Sequence, residues 1–369
     1  MKKRFKHNCL LYCFFCAFYF PSFLFSQSIR DSSKNFKYLI VPIVFKTPET
    51  GWAGGLSGSI SFNTTPKSRN ITRTSVIQVL SVFTERKQNV QAIDATIYLP
   101  KENYILSEQL SHSQFPENFW GIGPNTKNSF EERYTFEQVS ATTHLKRKIF
   151  RRFFIGGILD FQTVYKIKSF NNGGIFDTTV FNGKTNNHIL GLGLSASFDT
   201  RNNSFWPNKG MFLQTSITAF HKELFSSYTF QRFIIDFRFY KATFKNHVIA
   251  IQLYNYSTTG NTPLRNLGML GGANNLRGYY QGRFRDKSLY SVIAEYRAFI
   301  YWRISGCVFG GFGDVYSGDN RVSLKNVKAS FGGGLRLALL AKEKLNLRLD
   351  YGYVNKYNKG FYFTVAESF

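Results

Sequence analysis

The chain has 369 residues, 43% of them hydrophobic and 18% aromatic, with a formal net charge of +25 at pH 7. Beyond the first 26 residues it holds no apolar run approaching the roughly 20 residues of a membrane-crossing helix, which excludes a helical membrane bundle. Cys9, Cys13 and Cys16 lie in that first stretch, so Cys307 is the lone cysteine of the remaining chain, excluding an intrachain disulfide or a cysteine-based metal site there.

Lys2, Lys3, Arg4 and Lys6 open the chain, an apolar run occupies residues 9–20, and Pro21-Ser22 breaks it. Small Ser26 before Gln27 marks a cleavage point, so residues 1–26 are expected to be a secretory signal peptide. The residues before the three cysteines do not form the small-residue pattern of a lipoprotein signal. Residues 27–369 are expected to form one domain. About ten residues separate the signal from the first strand pattern, too few for a soluble periplasmic domain ahead of it. A secreted chain rarely meets nucleic acid, so the positive charge is assigned to lumenal arginines and to anionic lipid head groups at the rims.

No helical period stands out after the signal. Segments of about ten residues instead alternate apolar and polar positions between turn residues, the pattern of an outer-membrane barrel. About sixteen are predicted, at residues 38–45, 51–62, 72–84, 90–99, 103–111, 134–146, 153–166, 187–199, 210–221, 228–240, 247–257, 288–300, 304–316, 327–340, 344–354 and 360–369. In the eighth, Leu190, Leu192, Leu194, Ala196 and Phe198 oppose Gly191, Gly193, Ser195, Ser197 and Asp199. In the tenth, Phe233, Ile235, Phe237 and Phe239 oppose Arg232, Ile234, Asp236 and Arg238. Leu347, Leu349 and Tyr351 oppose Arg348, Asp350 and Gly352 in the fifteenth. Apolar positions suit lipid, and small or charged ones suit a wet lumen. Asp199, Arg232, Asp236, Arg238, Arg297, Arg348 and Asp350 are therefore expected inside. Backbone groups in lipid must pair within the protein, so the strands must close into a single antiparallel transmembrane β-barrel. With both termini periplasmic, the long connections 114–133, 169–186 and 258–287 fall outside. The short ones near Pro100-Lys101, Phe150-Arg151 and 301–303 fall inside, the usual asymmetry.

The connection 258–287 is far longer than a hairpin turn, and Leu276, Tyr279, Tyr280 and Phe284 are poor choices for a solvated coil. It is expected to be ordered and to place Arg277. Here the residues resemble a known family. Leu276-Arg277-Gly278-Tyr279, with Gly282 and Arg285-Asp286, is similar to the sixth-loop motif of Omp85 barrels, the family of BamA, TamA and the two-partner secretion transporters. Ser197-Phe198-Asp199-Thr200-Arg201 with Pro207-Asn208-Lys209-Gly210, Ala294-Glu295-Tyr296-Arg297, Gly313-Asp314, residues 331–336 and Leu349-Asp350-Tyr351-Gly352 agree in order. Terminal Phe369 resembles the aromatic end of an outer-membrane insertion signal. The resemblance implies that the sixth extracellular loop folds into the barrel and carries Arg277 to Glu295 and Asp314. A planar guanidinium suits two carboxylates better than an ammonium does.

Catalysis requires a nucleophile with a base, a carboxylate pair or a metal cluster. His112, His144, His188, His221 and His247 are scattered without ligand spacing, and no such set can be assembled, so neither enzymatic activity, a metal nor a cofactor is expected. The resemblance implies insertion or translocation of a protein or lipid client through a weak seam between the first and last strands. A separate partner chain would supply the periplasmic domains, and assembly machinery would insert the barrel itself into lipid and lipopolysaccharide. Two alternatives stay open: a passive solute channel plugged by the loop, and a structural or adhesive surface protein.

Overall fold

The computed structural model describes residues 36–64, 72–203, 206–244, 246–318, 327–340, 345–365 and 367–369. The expected signal peptide, residues 1–26, lies outside the described residues. Among the described residues, sixteen long antiparallel strands close into a barrel, as the alternation predicts. They are β1 (Phe36–Thr47), β2 (Gly51–Phe62), β3 (Ser75–Thr84), β4 (Asn89–Tyr98) and β5 (Tyr104–Gln114), then β7 (Glu132–Phe150), β8 (Phe153–Ser169), β9 (Asn187–Asp199), β10 (Gly210–Phe220), β11 (Phe230–Ala242) and β12 (His247–Gly260). β15 (Ser288–Tyr301), β16 (Ile304–Tyr316), β17 (Lys328–Leu340), β18 (Leu345–Tyr353) and β19 (Lys359–Val365) complete the wall. A short β6 (Glu117–Phe119) continues the pairing against β7, and β13 (Gly268–Leu270) with β14 (Phe284–Asp286) forms a separate hairpin inside the sixth long-side loop.

Burial follows the alternation. On β15, Ser291, Ile293, Glu295 and Arg297 are buried while Ala294 and Tyr296 are exposed. On β9, Leu192 and Leu194 are exposed and Ser195 and Ser197 buried. The apolar phase faces outward and the polar phase inward, the inverse of a soluble protein, because lipid replaces water around the wall. Cys307 lies buried on the inward phase of β16, behind exposed Val308.

Three boundaries depart from the predicted segments for physical reasons. β7 and β8 run to 19 and 17 residues, because their upper ends rise beyond the membrane-spanning band and carry the outer loops. β3 begins at Ser75, since Arg73 leaves the wall to bind Glu102 and Asp199, both at 3.0 Å. β19 is described only to Val365, and residues 367–369 turn inward instead of prolonging the edge. Phe369 packs there with Tyr240, Val248, Ala250 and Ile293.

The outer loops carry their own core. Phe119, Tyr134, Phe136, Val164, Phe176, Leu264 and Leu267 form one cluster, and Leu270 and Phe284 of the hairpin pack with Leu276, Tyr279, Leu289 and Val315 in a second.

Candidate functional site: the loop anchor and the seam

Glycines shape the loop between β12 and β15. Gly271 and Gly278 adopt φ +108° and +111°, a region that L side chains rarely enter. A Cβ on Gly271 would collide with the Tyr280 carbonyl oxygen, so the chain can double back there. The turn delivers Arg277 to the inward phase of the wall, where it is fully buried. Its Nη2 donates to Glu295 and its Nη1 to Asp350 Oδ2 at 2.5 Å. The guanidinium lies 3.5 Å from the Phe309 ring centroid, so an aromatic face covers the side its carboxylate partners leave open. Arg297 donates to Glu295 at 2.8 Å and Arg336 to Asp350, which Arg348 also approaches at 3.6 Å, so two arginines share Glu295 and three share Asp350. Arg348 holds the loop by donating to the Ala273 backbone carbonyl at 3.2 Å and to the Asn274 side-chain Oδ1 at 3.1 Å.

Of the two carboxylates expected beside Arg277, the structure brings Glu295 and not Asp314. The register explains the difference. Glu295 pairs with Phe309 across β15 and β16, and Asp314 lies five positions higher on β16, about 16 Å along the strand at roughly 3.3 Å per residue. Asp314 instead accepts from Lys328 Nζ at 2.6 Å and from the Val315 amide at 2.8 Å. Asp350 takes the place because Gly352 lets the loop lie against β18; a Cβ there would stand 2.5 Å from the Arg277 carbonyl carbon. The other charges expected inside do not converge on Arg277. Asp199 binds Arg201 and Arg73, Arg232 binds Asp160, and Asp236 binds Arg238 and Gln252.

A second anchor was not singled out from the sequence. Glu117 on β6 accepts from Arg265 Nη1 at 2.8 Å, from Arg285 Nη1 at 3.1 Å and from the Tyr134 hydroxyl. Burial pushes its carboxyl up, but Arg265 and Arg285 outweigh that and hold it below the usual range. The available signal was a lone acid within the aromatic run Phe115-Pro116-Glu117-Asn118-Phe119-Trp120. Only contact with a loop some 150 residues away gives that acid meaning.

The barrel closes where β1 meets β19. β1 pairs with β2 along its whole length, from Phe36↔Phe62 to Thr47↔Gly51. Among the described residues it meets β19 at Lys46↔Phe363 alone. The neighbouring junction of β18 with β19 runs from Leu347↔Val365 to Tyr353↔Lys359. Past β19, Ser368 Oγ donates to Glu295 Oε1 at 2.7 Å, Arg297 Nη2 donates to the Phe369 carbonyl at 3.3 Å, and Glu367 pairs with Arg336 at 3.1 Å. The C-terminal aromatic thus lies on the inward side, and its neighbour Ser368 binds the same carboxylate that holds Arg277.

A closed sixteen-strand antiparallel barrel with a lipid-facing apolar phase and an arginine-anchored loop defines an outer-membrane protein of the Gram-negative type. The Omp85 superfamily domain model matches residues 78–369, and the chain belongs to that superfamily. Among solved structures it is similar to BamA from Haemophilus ducreyi lacking POTRA domains 1–3, at 13% identity and TM-score 0.58, over 89% of this chain and 70% of that one. CdiB from Acinetobacter baumannii matches at 12% identity and TM-score 0.58, over 90% of this chain and 60% of that one. CdiB from Escherichia coli matches at 13% and 0.58, over 89% and 62%. The chain therefore spans less than two thirds of either CdiB. These likenesses carry the fold. No curated protein matches the sequence.

Proposed function

We propose that this barrel takes part in inserting or translocating proteins or lipids at the outer membrane, and that the junction of β1 with β19 is where the client engages. The observation that carries the reading is the pairing Lys46↔Phe363, which stands alone among the described residues beside junctions paired along most of their length. Backbone groups on the free side of β1 face lipid without a β19 partner, and unpaired strand edges template other strands. Residues 367–369 support it further, since they leave the edge for Glu295, Arg297 and Arg336. The role is binding and templating, without catalysis or a bound cofactor. A separate periplasmic chain would deliver the client, and the basic rims would contact lipid and lipopolysaccharide.

A reversible lock tests the reading. In a Cys307→Ser background, Lys46→Cys with Phe363→Cys places two thiols at opposed strand positions, within disulfide reach. The reduced barrel in vesicles is expected to accelerate insertion of a small urea-unfolded outer-membrane barrel. Oxidation should remove that acceleration and reduction should restore it. The same lock between β9 and β10, at Ser197 and Gln214, should change nothing. Equal rates in all states would overturn the reading. Conductance separates it from a passive channel. Small, flickering currents enlarged by Arg277→Ala fit a loop-filled translocator, whereas a large steady current indifferent to Arg277 fits a solute channel.

A further inference from the structure

Gly278 and Gln281 lie three positions apart at the tip of the sixth loop, and their amides reach opposite sides of the seam. The Gly278 N–H donates to the Tyr362 hydroxyl on β19 at 2.9 Å, and that hydroxyl donates on to the Tyr279 carbonyl at 3.2 Å. The Gln281 N–H donates to Glu49 Oε1 at 2.8 Å, in the turn joining β1 to β2. Both accepting side chains are shielded from solvent: Tyr362 is fully buried and Glu49 nearly so. Glu49 is itself fixed, since Gln88 Nε2 donates to its carbonyl at 3.1 Å and to the Pro116 carbonyl at 3.0 Å. The two edges touch directly here as well, because a Cβ on Gly360 would collide with Pro48. The tip cannot drift with one edge, because Arg277 pins it to Glu295 and Asp350.

These contacts all lie at the long-loop end, beside Lys46↔Phe363. Toward the short-turn end, residues 36–45 of β1 have no β19 partner among the described residues, and residues 367–369 are drawn inside. Among the described residues the seam is therefore held at one end and unpaired at the other. We infer that the loop tip is a clasp across the seam, binding β19 through Tyr362 and the β1–β2 turn through Glu49, so that opening starts at the short-turn end and is completed only when the clasp releases. This rests on the seam reading above and adds its regulation. A polar tip suits such a clasp, because its two backbone donors are satisfied only while both edges stay in reach. Each would be left buried and unpaired if one edge moved away.

Electron–electron distance measurements test it independently of any client. Spin labels at Val44 and Phe361, exposed on the lipid side of β1 and β19, report the clasped end. Labels at Ile40, exposed on β1, and at Leu347, on the outward phase of β18 opposite Val365, report the short-turn end. In Glu49→Ala combined with Tyr362→Phe, the Val44–Phe361 separation is expected to lengthen by about one strand spacing, roughly 5 Å. Glu49→Gln keeps an acceptor oxygen and should hold the wild-type distance. An unchanged separation in the folded double variant overturns the clasp. Should that variant fail to fold, hydrogen exchange on the wild type decides: protected amides at Gly278 and Gln281 uphold it, and exchange as fast as in an open loop overturns it. The insertion assay is read separately. A lengthened distance without a change in insertion rate keeps the clasp and removes the client reading.

Discussion

Arg277 shows how one side chain can seat a loop of more than twenty residues. Its guanidinium satisfies Glu295 and Asp350 together, and Arg277→Ala leaves both carboxylates buried beside fewer cations. Stranding a buried charge typically costs about 3–5 kcal/mol, and because β12 and β15 pair directly with each other the loss should fall on the loop. Faster exchange across residues 271–283 with near-normal exchange in β9–β11 is the expected pattern. Arg277→Lys should recover only part of it, because one ammonium cannot span two carboxylates with planar bidentate geometry. Gly352→Ala should mimic the loss without removing a charge, since its methyl meets the Arg277 backbone at 2.5 Å. Gly54→Ala, where a methyl meets nothing within 4 Å, should be silent in the same measurement. Glu117 adds a pH dependence. Its folded value lies below the ordinary 4.5. Its contribution is thus fully present above 4.5 and is lost as pH falls through the lowered value, when Arg265 and Arg285 lose their counter-charge. Tyrosine or tryptophan fluorescence of the outer loops should report a loosening in acid that Glu117→Gln shows at neutral pH.

At the scale of elements, β1 is paired on one side over its full length and on the other at one position among those described. In an antiparallel ladder alternate amides point to opposite neighbours. Every second amide between residues 36 and 45 should therefore exchange far faster than its neighbours, a sawtooth that β10, paired on both sides, should lack. A smooth profile along β1 would mean that something else covers its free edge. The long β7–β8 hairpin follows from a different demand. Strands inside lipid need only span it, whereas these two also carry the aromatic cluster around Phe119, Phe176 and Leu264, against which the sixth loop leans.

For the whole molecule, the alternation of small or charged residues with aromatic and aliphatic ones determined a great deal. It specified strands rather than helices, about sixteen of them, an outward apolar phase, and long connections on one side. These features were legible because strand period and turn composition are local, and lipid selects for the same two-residue period all around the wall. The loop glycines and Arg277 were legible too, through the motif they form and through apolar residues that a solvated loop would not keep. The tertiary structure alone decided which carboxylate meets Arg277. Asp314 and Asp350 read alike along the chain, and only the register of β15, β16 and β18 tells them apart. The same holds for Glu117, for the inward turn of Phe369, and for the seam, whose two edges lie at opposite ends of the sequence. Local periodicity says which face a residue takes. Which faces confront one another across the lumen depends on closure, and closure is a property of all the strands together.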